Sequence, residues 1–210
     1  MPAVRLFLAV QGALYLWFLD WDLLNAGDSR WIKYVSIVLC FLFALHQAAR
    51  GGDRLTAAAL AFTLGADAFL LLLDRCYPLG IGLFCAAHLL YRRRIGGTHP
   101  ALVLLPVLCG LTAALARRGA DTAMAAVYAL LLVGNVILGW RRARNGAGRL
   151  LAVGLTLLLC CDVCVGLHNL AAPLPPAVSA AADVGMWLFY LPSQVCVALS
   201  AAPEGQETRF

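Results

Sequence analysis

Apolar residues run through this sequence in long blocks, while charged residues, Gly and Pro gather in the short stretches between them. Eight blocks stand out, at 4–20, 31–49, 55–73, 78–91, 100–116, 121–140, 149–170 and 176–201. Most approach the about 20 residues that a helix needs to cross a hydrocarbon layer, and none alternates with a period of two. A bilayer core offers no water to backbone N–H and C=O groups, so only helices and closed barrels cross it; unbroken apolar character selects helices. The pattern predicts an all-α polytopic membrane bundle of eight transmembrane helices. The fourth run is short, and its helix is expected to extend into Arg92, Arg93 and Arg94 by snorkelling. Residues 1–203 then form one transmembrane helical domain, with a polar tail at 204–210.

Composition excludes the soluble alternative. Of 210 residues 62% are apolar, and the 19 glycines raise that share to about 71%, against roughly 45–50% in soluble domains. The first run lacks a small-residue cleavage site and ends in Asp20 and Asp22, so it reads as a retained helix rather than a signal peptide. The net charge of +5 does not indicate nucleic acid, because the basic residues lie in short connections between apolar runs. They report topology instead. With eight spans, eleven of them (Arg5, Arg50, Arg54, Arg92, Arg93, Arg94, Arg141, Arg142, Arg144, Arg149 and Arg209) share the side of both termini. Arg30, Lys33, Arg75, Arg117 and Arg118 occupy the other, so both termini are expected in the cytoplasm. Short loops and a single lysine among the 16 basic residues point to the bacterial cytoplasmic membrane. The eight cysteines lie almost entirely within apolar runs, where they serve as small hydrophobes. On a helix, Cys161-x-x-Cys164 lacks the loop context of a redox motif.

An ionisable side chain inside a span costs about 2.5–3.5 kcal/mol on insertion scales, so each one marks a candidate function. Counted from the outer helix ends at about 1.5 Å per residue, Asp67 lies about 10 Å down, Asp162 about 12 Å and His88 about 15 Å. Tyr128 and Asp183 come at about 10 Å each. Five polar groups on five runs thus fall in one layer of a core about 30 Å thick, which predicts a polar pocket in the outer half of the bundle. Asn135 and Gln194 lie deeper, and Lys33 and Asp74 stand at the outer rim, where a lipid headgroup would sit. Plainer readings exist for each: Asp67 and Asp162 as hydrogen-bonding glue between helices or partners of His88, Tyr128 and Tyr190 as packing aromatics, and Lys33 as a snorkelling anchor. Asp74, His46 and His168 sit near helix ends and read as interfacial.

Two carboxylates facing each other in low dielectric cannot both ionise cheaply, which divides them into an acid and a base. Such a pair suits protonation of a poor electrophile with stabilisation of an oxocarbenium ion, as in acetal and glycoside cleavage. Vinyl ethers hydrolyse through the same cation. The halves of the chain also correspond: Leu64-Gly65-Ala66-Asp67 lines up with Leu159-Cys160-Cys161-Asp162, which suggests two parallel four-helix repeats.

The segment Gly65-Ala66-Asp67-Ala68-Phe69-Leu70, followed by Gly80-x-Gly82-x-Phe84-x-x-x-His88-x-x-Tyr91, resembles the YhhN family, whose characterised members are lysoplasmalogenases. Leu159-Cys160-Cys161-Asp162 with Trp187-x-x-Tyr190-x-x-x-Gln194 is similar to that family's second-half pattern. The likeness covers roughly residues 60–91 and 151–200. It implies eight helices, catalytic acids at Asp67 and Asp162, and cleavage of a single-chain alkenyl glycerophospholipid to a fatty aldehyde and a glycerophospho-alcohol. No cofactor and no metal are expected. Beside the acids, Lys33 is expected to attract phosphate as a point charge, and His88 and Tyr91 to orient or polarise groups in the pocket. Tyr128, Asp183, Tyr190 and Gln194 complete the expected substrate-binding set. Expected partners are a lysophospholipid or other single-chain lipid and the surrounding membrane lipids. Three positions depart from the family pattern: its Gly-Asp is here Ala66-Asp67, its Ser-Asp is Cys161-Asp162, and its Lys-Pro is Lys33-Tyr34.

Two rival readings accompany this one. A metal-dependent lipid hydrolase would use Asp67, His88, Asp162 and His168 as ligands, although no His-x-x-x-His pair is present. A small proton- or cation-coupled transporter or lipid-binding protein would use the same buried acids, with Pro106 and Pro192 as helix interruptions.

Overall fold

The computed structural model describes residues 2–24, 27–96, 119–169 and 175–203, and the described residues hold helices and no strand. Seven α-helices follow in order: α1 (Pro2–Leu23), α2 (Arg30–Ala49), α3 (Arg54–Asp67), α4 (Tyr77–Ile95), α5 (Gly119–Arg142), α6 (Gly146–His168) and α7 (Pro176–Leu199). A π-helical segment, Ala68–Leu72, continues α3. These helices coincide with seven of the runs expected from sequence. The remaining run at 100–116, with Pro106 and Cys109, lies outside the described residues, as do Arg117, Arg118 and the 204–210 tail. Among the described residues six helices are long and apolar enough to cross a membrane, namely α1, α2, α3 with its π continuation, α5, α6 and α7. The chain is an integral membrane protein.

Its surface and interior are sorted for a lipid solvent. Leu6, Leu16, Trp17, Trp31, Trp140 and Val163 face outward, whereas Lys33, Asp67, His88, Arg92, Asn135 and Gln194 are buried. A soluble domain would reverse that assignment. Small side chains fill much of the interior, including Ala44, Ala59, Ala66, Ala87, Ala152 and Ala198, so helix axes approach closely.

Local chemistry sets the helix ends. The Thr56 amide donates to Asp53 Oδ2 at 2.9 Å to cap α3, and the Gly148 amide donates to Asn145 Oδ1 at 2.7 Å to cap α6. Gly96 ends α4 in the left-handed conformation, with φ of 82°. The π segment follows directly on Asp67, and its wider turn is closed by Leu73 N–H donating to the Ala68 carbonyl at 3.0 Å. It pushes Leu70 against α4 at Gly80, where a Cβ would stand 2.5 Å from Leu70 Cγ.

The arginines closing α4 depart from the snorkelling expected of them. Arg93 is exposed, but Arg92 turns into the bundle and is 3% exposed. Arg94 fastens three helices: it pairs with Asp53 at 3.0 Å and donates to Thr56 Oγ1 and Ser200 Oγ at 2.6 Å each. Groups that would have cost energy in lipid are thereby satisfied by the protein itself.

Candidate functional site

Asp67 is the last residue of α3 before the π segment, and it is 5% exposed. The Tyr190 hydroxyl on α7 donates to its Oδ2 at 2.6 Å. Asp162, half-buried on α6, receives the matching bond from the Tyr128 hydroxyl on α5, at 2.7 Å. Each acid therefore has one carboxylate oxygen held by a tyrosine from another helix. Cys161, buried beside Asp162, lies within electrostatic reach of both Asp67 and Asp162. Tyr190 is in turn within reach of Cys161 and Tyr128, so the two tyrosine–acid pairs share one layer. Among the described residues neither acid enters an ion pair. A hydroxyl on the residue before Asp162 is not what holds it; Tyr128 does so from α5.

Aromatic rings and a polar network lie next to this layer. Phe84 packs on Tyr128 with centroids 5.6 Å apart, and the His88 ring meets Tyr128 edge-on at 5.1 Å and Tyr91 at 5.7 Å. Tyr91 is buried beside Thr63. Asn135 Nδ2 donates to the His88 carbonyl at 2.8 Å and faces His88 Nδ1 at 3.2 Å, while its Oδ1 accepts from Arg92 Nε at 2.7 Å. Gln194 is buried one turn beyond Tyr190 on α7, and its Oε1 has no hydrogen-bond partner among the described residues.

Lys33 and Asp183 belong to a different place. Lys33 is 6% exposed, pairs with Asp22 at 2.5 Å and lies 4.4 Å from the centre of the Trp187 ring. With Asp22, Trp187 and Gly27, both residues line a rim cavity of about 400 Å³. Lys33 therefore already has a counter-ion. Asp183 is exposed and bonded to His168 Nδ1 at 2.5 Å. It stands seven residues, or about 10 Å, along α7 from Tyr190, so it does not join the acid layer as its depth count suggested. The count failed because helix ends are not level: Tyr190, about 21 Å from the start of its run, meets Asp67, about 10 Å from the end of its own.

The four candidate ligands of the metal reading are likewise dispersed. Among the described residues no three His, Cys, Asp or Glu side chains gather closely enough to hold an ion, and His168 meets Asp183 rather than the other candidates. The two corresponding segments of the proposed repeat also differ locally. α3 gives way to the π turn after Asp67, whereas α6 continues regularly for six residues after Asp162.

Sequence reasoning did not mark Arg92 as part of the site's surroundings. A signal was available: Arg92 lies one helical turn after His88, and it falls at the same nominal depth as Asn135, about 21 Å from the start of each run.

No curated protein and no solved structure matches this sequence. A sequence model of the YhhN family does match, over residues 29–201, a span that takes in both acids, both tyrosines and the His88 network, and the chain belongs to that family.

Proposed function

We propose that the protein is a membrane-embedded hydrolase that cleaves the vinyl-ether bond of lysoplasmalogen-like lysophospholipids through Asp67 and Asp162, in a bundle of eight helices with both termini in the cytoplasm of a bacterium. The observation that carries this reading is the pair of tyrosine-held carboxylates in one buried layer, together with family membership.

In the proposed reaction one carboxylic acid protonates the vinyl carbon β to the ether oxygen, and the adjacent carbon becomes an oxocarbenium ion. The other acid, as carboxylate, stabilises that cation and takes a proton from water as the water oxygen bonds to it. The hemiacetal so formed loses the glycerophospho-alcohol, which leaves with a proton, and the fatty aldehyde remains. Water supplies all the atoms gained. Each tyrosine occupies Oδ2 of its acid, which leaves Oδ1 for substrate or water and fixes the plane of the carboxyl group. In this reading the headgroup would enter the rim cavity lined by Asp22, Lys33, Asp183 and Trp187 near the start of α7, with the Lys33–Asp22 pair opening to meet its phosphate.

The test is fatty-aldehyde release from an alkenyl lysophospholipid by detergent-purified protein with excess chelator present. Wild type is expected to release aldehyde, while Asp67→Asn and Asp162→Asn each lose turnover and keep the wild-type elution profile. Full activity in either variant removes that acid from the mechanism. A transport reading has one observation in its favour, the interruption of α3 by a π segment directly after Asp67. Proton-coupled flux in liposomes, with no aldehyde released, would favour it instead.

A further inference from the structure

His88 is fully buried, and its Nε2 has no hydrogen-bond partner among the described residues. An unpartnered polar atom at such a site carries an uncompensated desolvation penalty, so its persistence calls for a ligand or a role. The groups around the ring determine which nitrogen carries the proton. Arg92 Nε can only donate, so the atom of Asn135 that faces it at 2.7 Å must be Oδ1. The His88 carbonyl can only accept, so the atom facing it at 2.8 Å must be Nδ2. These two constraints come from opposite sides of the amide and agree on its orientation. The second Nδ2 hydrogen is then directed at His88 Nδ1, 3.2 Å away, and Nδ1 must accept. A neutral imidazole whose Nδ1 accepts carries its hydrogen on Nε2.

Arg92 is placed for this task and little else. It is 3% exposed, forms no ion pair among the described residues and donates its other bond to the Leu131 carbonyl at 3.3 Å. Gly134 makes room for it, since a Cβ there would stand 2.4 Å from Arg92 Nη2. A buried guanidinium without a carboxylate is expensive to hold.

We propose that Arg92 and Asn135 are positioning residues that lock His88 as the Nε2–H tautomer, and that this N–H is a hydrogen-bond donor to an oxygen of the bound lipid, next to Tyr128 and Asp162. In its catalytic part the inference rests on the hydrolase reading above. The lipid oxygen would be the ether or the neighbouring glycerol hydroxyl, both acceptors within the same segment of the substrate. Asn135→Asp is the discriminating variant. It is nearly isosteric and keeps a partner for Arg92, but it gives up the bond to the His88 carbonyl and presents an acceptor to Nδ1, which then carries the proton. Nε2 is then left as an acceptor facing another acceptor.

The experiment is ¹⁵N NMR of histidine-labelled full-length protein in detergent, with His88 assigned against His88→Gln, alongside aldehyde-release kinetics. Expected are a protonated Nε2 and bare Nδ1 in wild type and in Arg92→Lys, the reverse in Asn135→Asp, and a kcat for Asn135→Asp lower by about tenfold to a hundredfold. Addition of a saturated 1-alkyl lysophospholipid, which lacks the vinyl group and is not cleaved, is expected to shift the Nε2 resonance. A wild-type His88 protonated on Nδ1 overturns the proposal, whether or not any variant folds. So does an Asn135→Asp protein with a switched tautomer and unchanged kcat. If wild type shows the ligand-dependent shift but releases no aldehyde, the hydrolase reading fails and the donor stands. If aldehyde is released with no shift, the donor fails and the hydrolase reading stands.

Discussion

Replacing Tyr190 by Phe deletes one oxygen and little else. The ring keeps its edge-on packing against Trp187, whose centroid lies 5.6 Å away, so no cavity opens. What is lost is the 2.6 Å bond to Asp67 Oδ2, the sole hydrogen bond that Asp67 makes through its side chain among the described residues. Hydrogen bonds to charged groups contribute about 1.5–3 kcal/mol. If that bond tightens as charge develops on Asp67, its loss lowers kcat/KM by roughly 10- to 150-fold, at about 1.36 kcal/mol per factor of ten. Tyr128→Phe is expected to act similarly on Asp162, whose Oδ2 loses the matching 2.7 Å bond. The assay is initial-rate aldehyde release over a range of alkenyl lysophospholipid concentrations for wild type, both single variants and the double variant. If the two acids act in one step, as proposed, the double variant should lose less than the product of the single losses. A wild-type kcat/KM in Tyr190→Phe refutes the idea that the tyrosines hold the acids for chemistry.

Other consequences follow from packing and charge. Gly154→Ala would place a Cβ 2.8 Å from Val197 Cγ2 and 3.0 Å from the Ser193 carbonyl, so α6 and α7 must separate; overpacking of about 1–3 kcal/mol should lower the melting temperature in detergent by about 2–12 °C, and an unchanged value would contradict that contact. Asp22→Ala would strand the buried Lys33 ammonium against Trp187, at an expected cost of about 1–3 kcal/mol, since the Asp22 side chain is itself 31% exposed; Lys33→Met in the same chain should restore most of the loss, and thermal melts of the two proteins decide. The Asp28 carboxyl, between α1 and α2, is held below the usual carboxylate range by hydrogen bonds from the Arg30 side chain and amide. Its lowered value means that the pair favours the folded state above the ordinary aspartate pKa, and that this contribution fades as pH falls through the depressed value; Arg30→Ala should raise the Asp28 midpoint in an NMR titration, and an unmoved midpoint would show the pair to be broken in solution.

The helices were legible because length and apolar continuity are properties of the chain itself. Asp67 and Asp162 were legible for a related reason: a carboxylate within an apolar run is anomalous wherever its helix sits. Their partners were a harder matter. Tyr128 and Tyr190 are visible as residues, but which acid each reaches depends on the tilt and vertical offset of whole helices, and these are set by side-chain packing across the bundle. The same offset carried Asp183 away to the rim beside His168. Arg92 was misread because three consecutive arginines satisfy a topology rule as a group, whereas the face of the helix separates them: Arg93 meets the outside, and Arg92 meets Asn135.

The wide turn after Asp67 has a consequence for insertions and deletions. A π turn is an α-helix holding one residue too many, so removing one residue from 68–72 would restore regular i to i+4 bonding without disturbing anything that precedes Asp67. The acid would keep its place, and so would the residues beyond the turn, because the bulge already absorbs the extra residue; adding a further one would instead swing every later residue of the segment by about 100° around the axis. Leu70 would leave the notch at Gly80, and the left-handed residues Asp74 and Cys76 would no longer aim α4 at the bundle. The spacing between Asp67 and His88 is thus tolerant of losing the bulged residue but not of gaining another, so a one-residue insertion there should sever the acid from the histidine network even when both side chains remain.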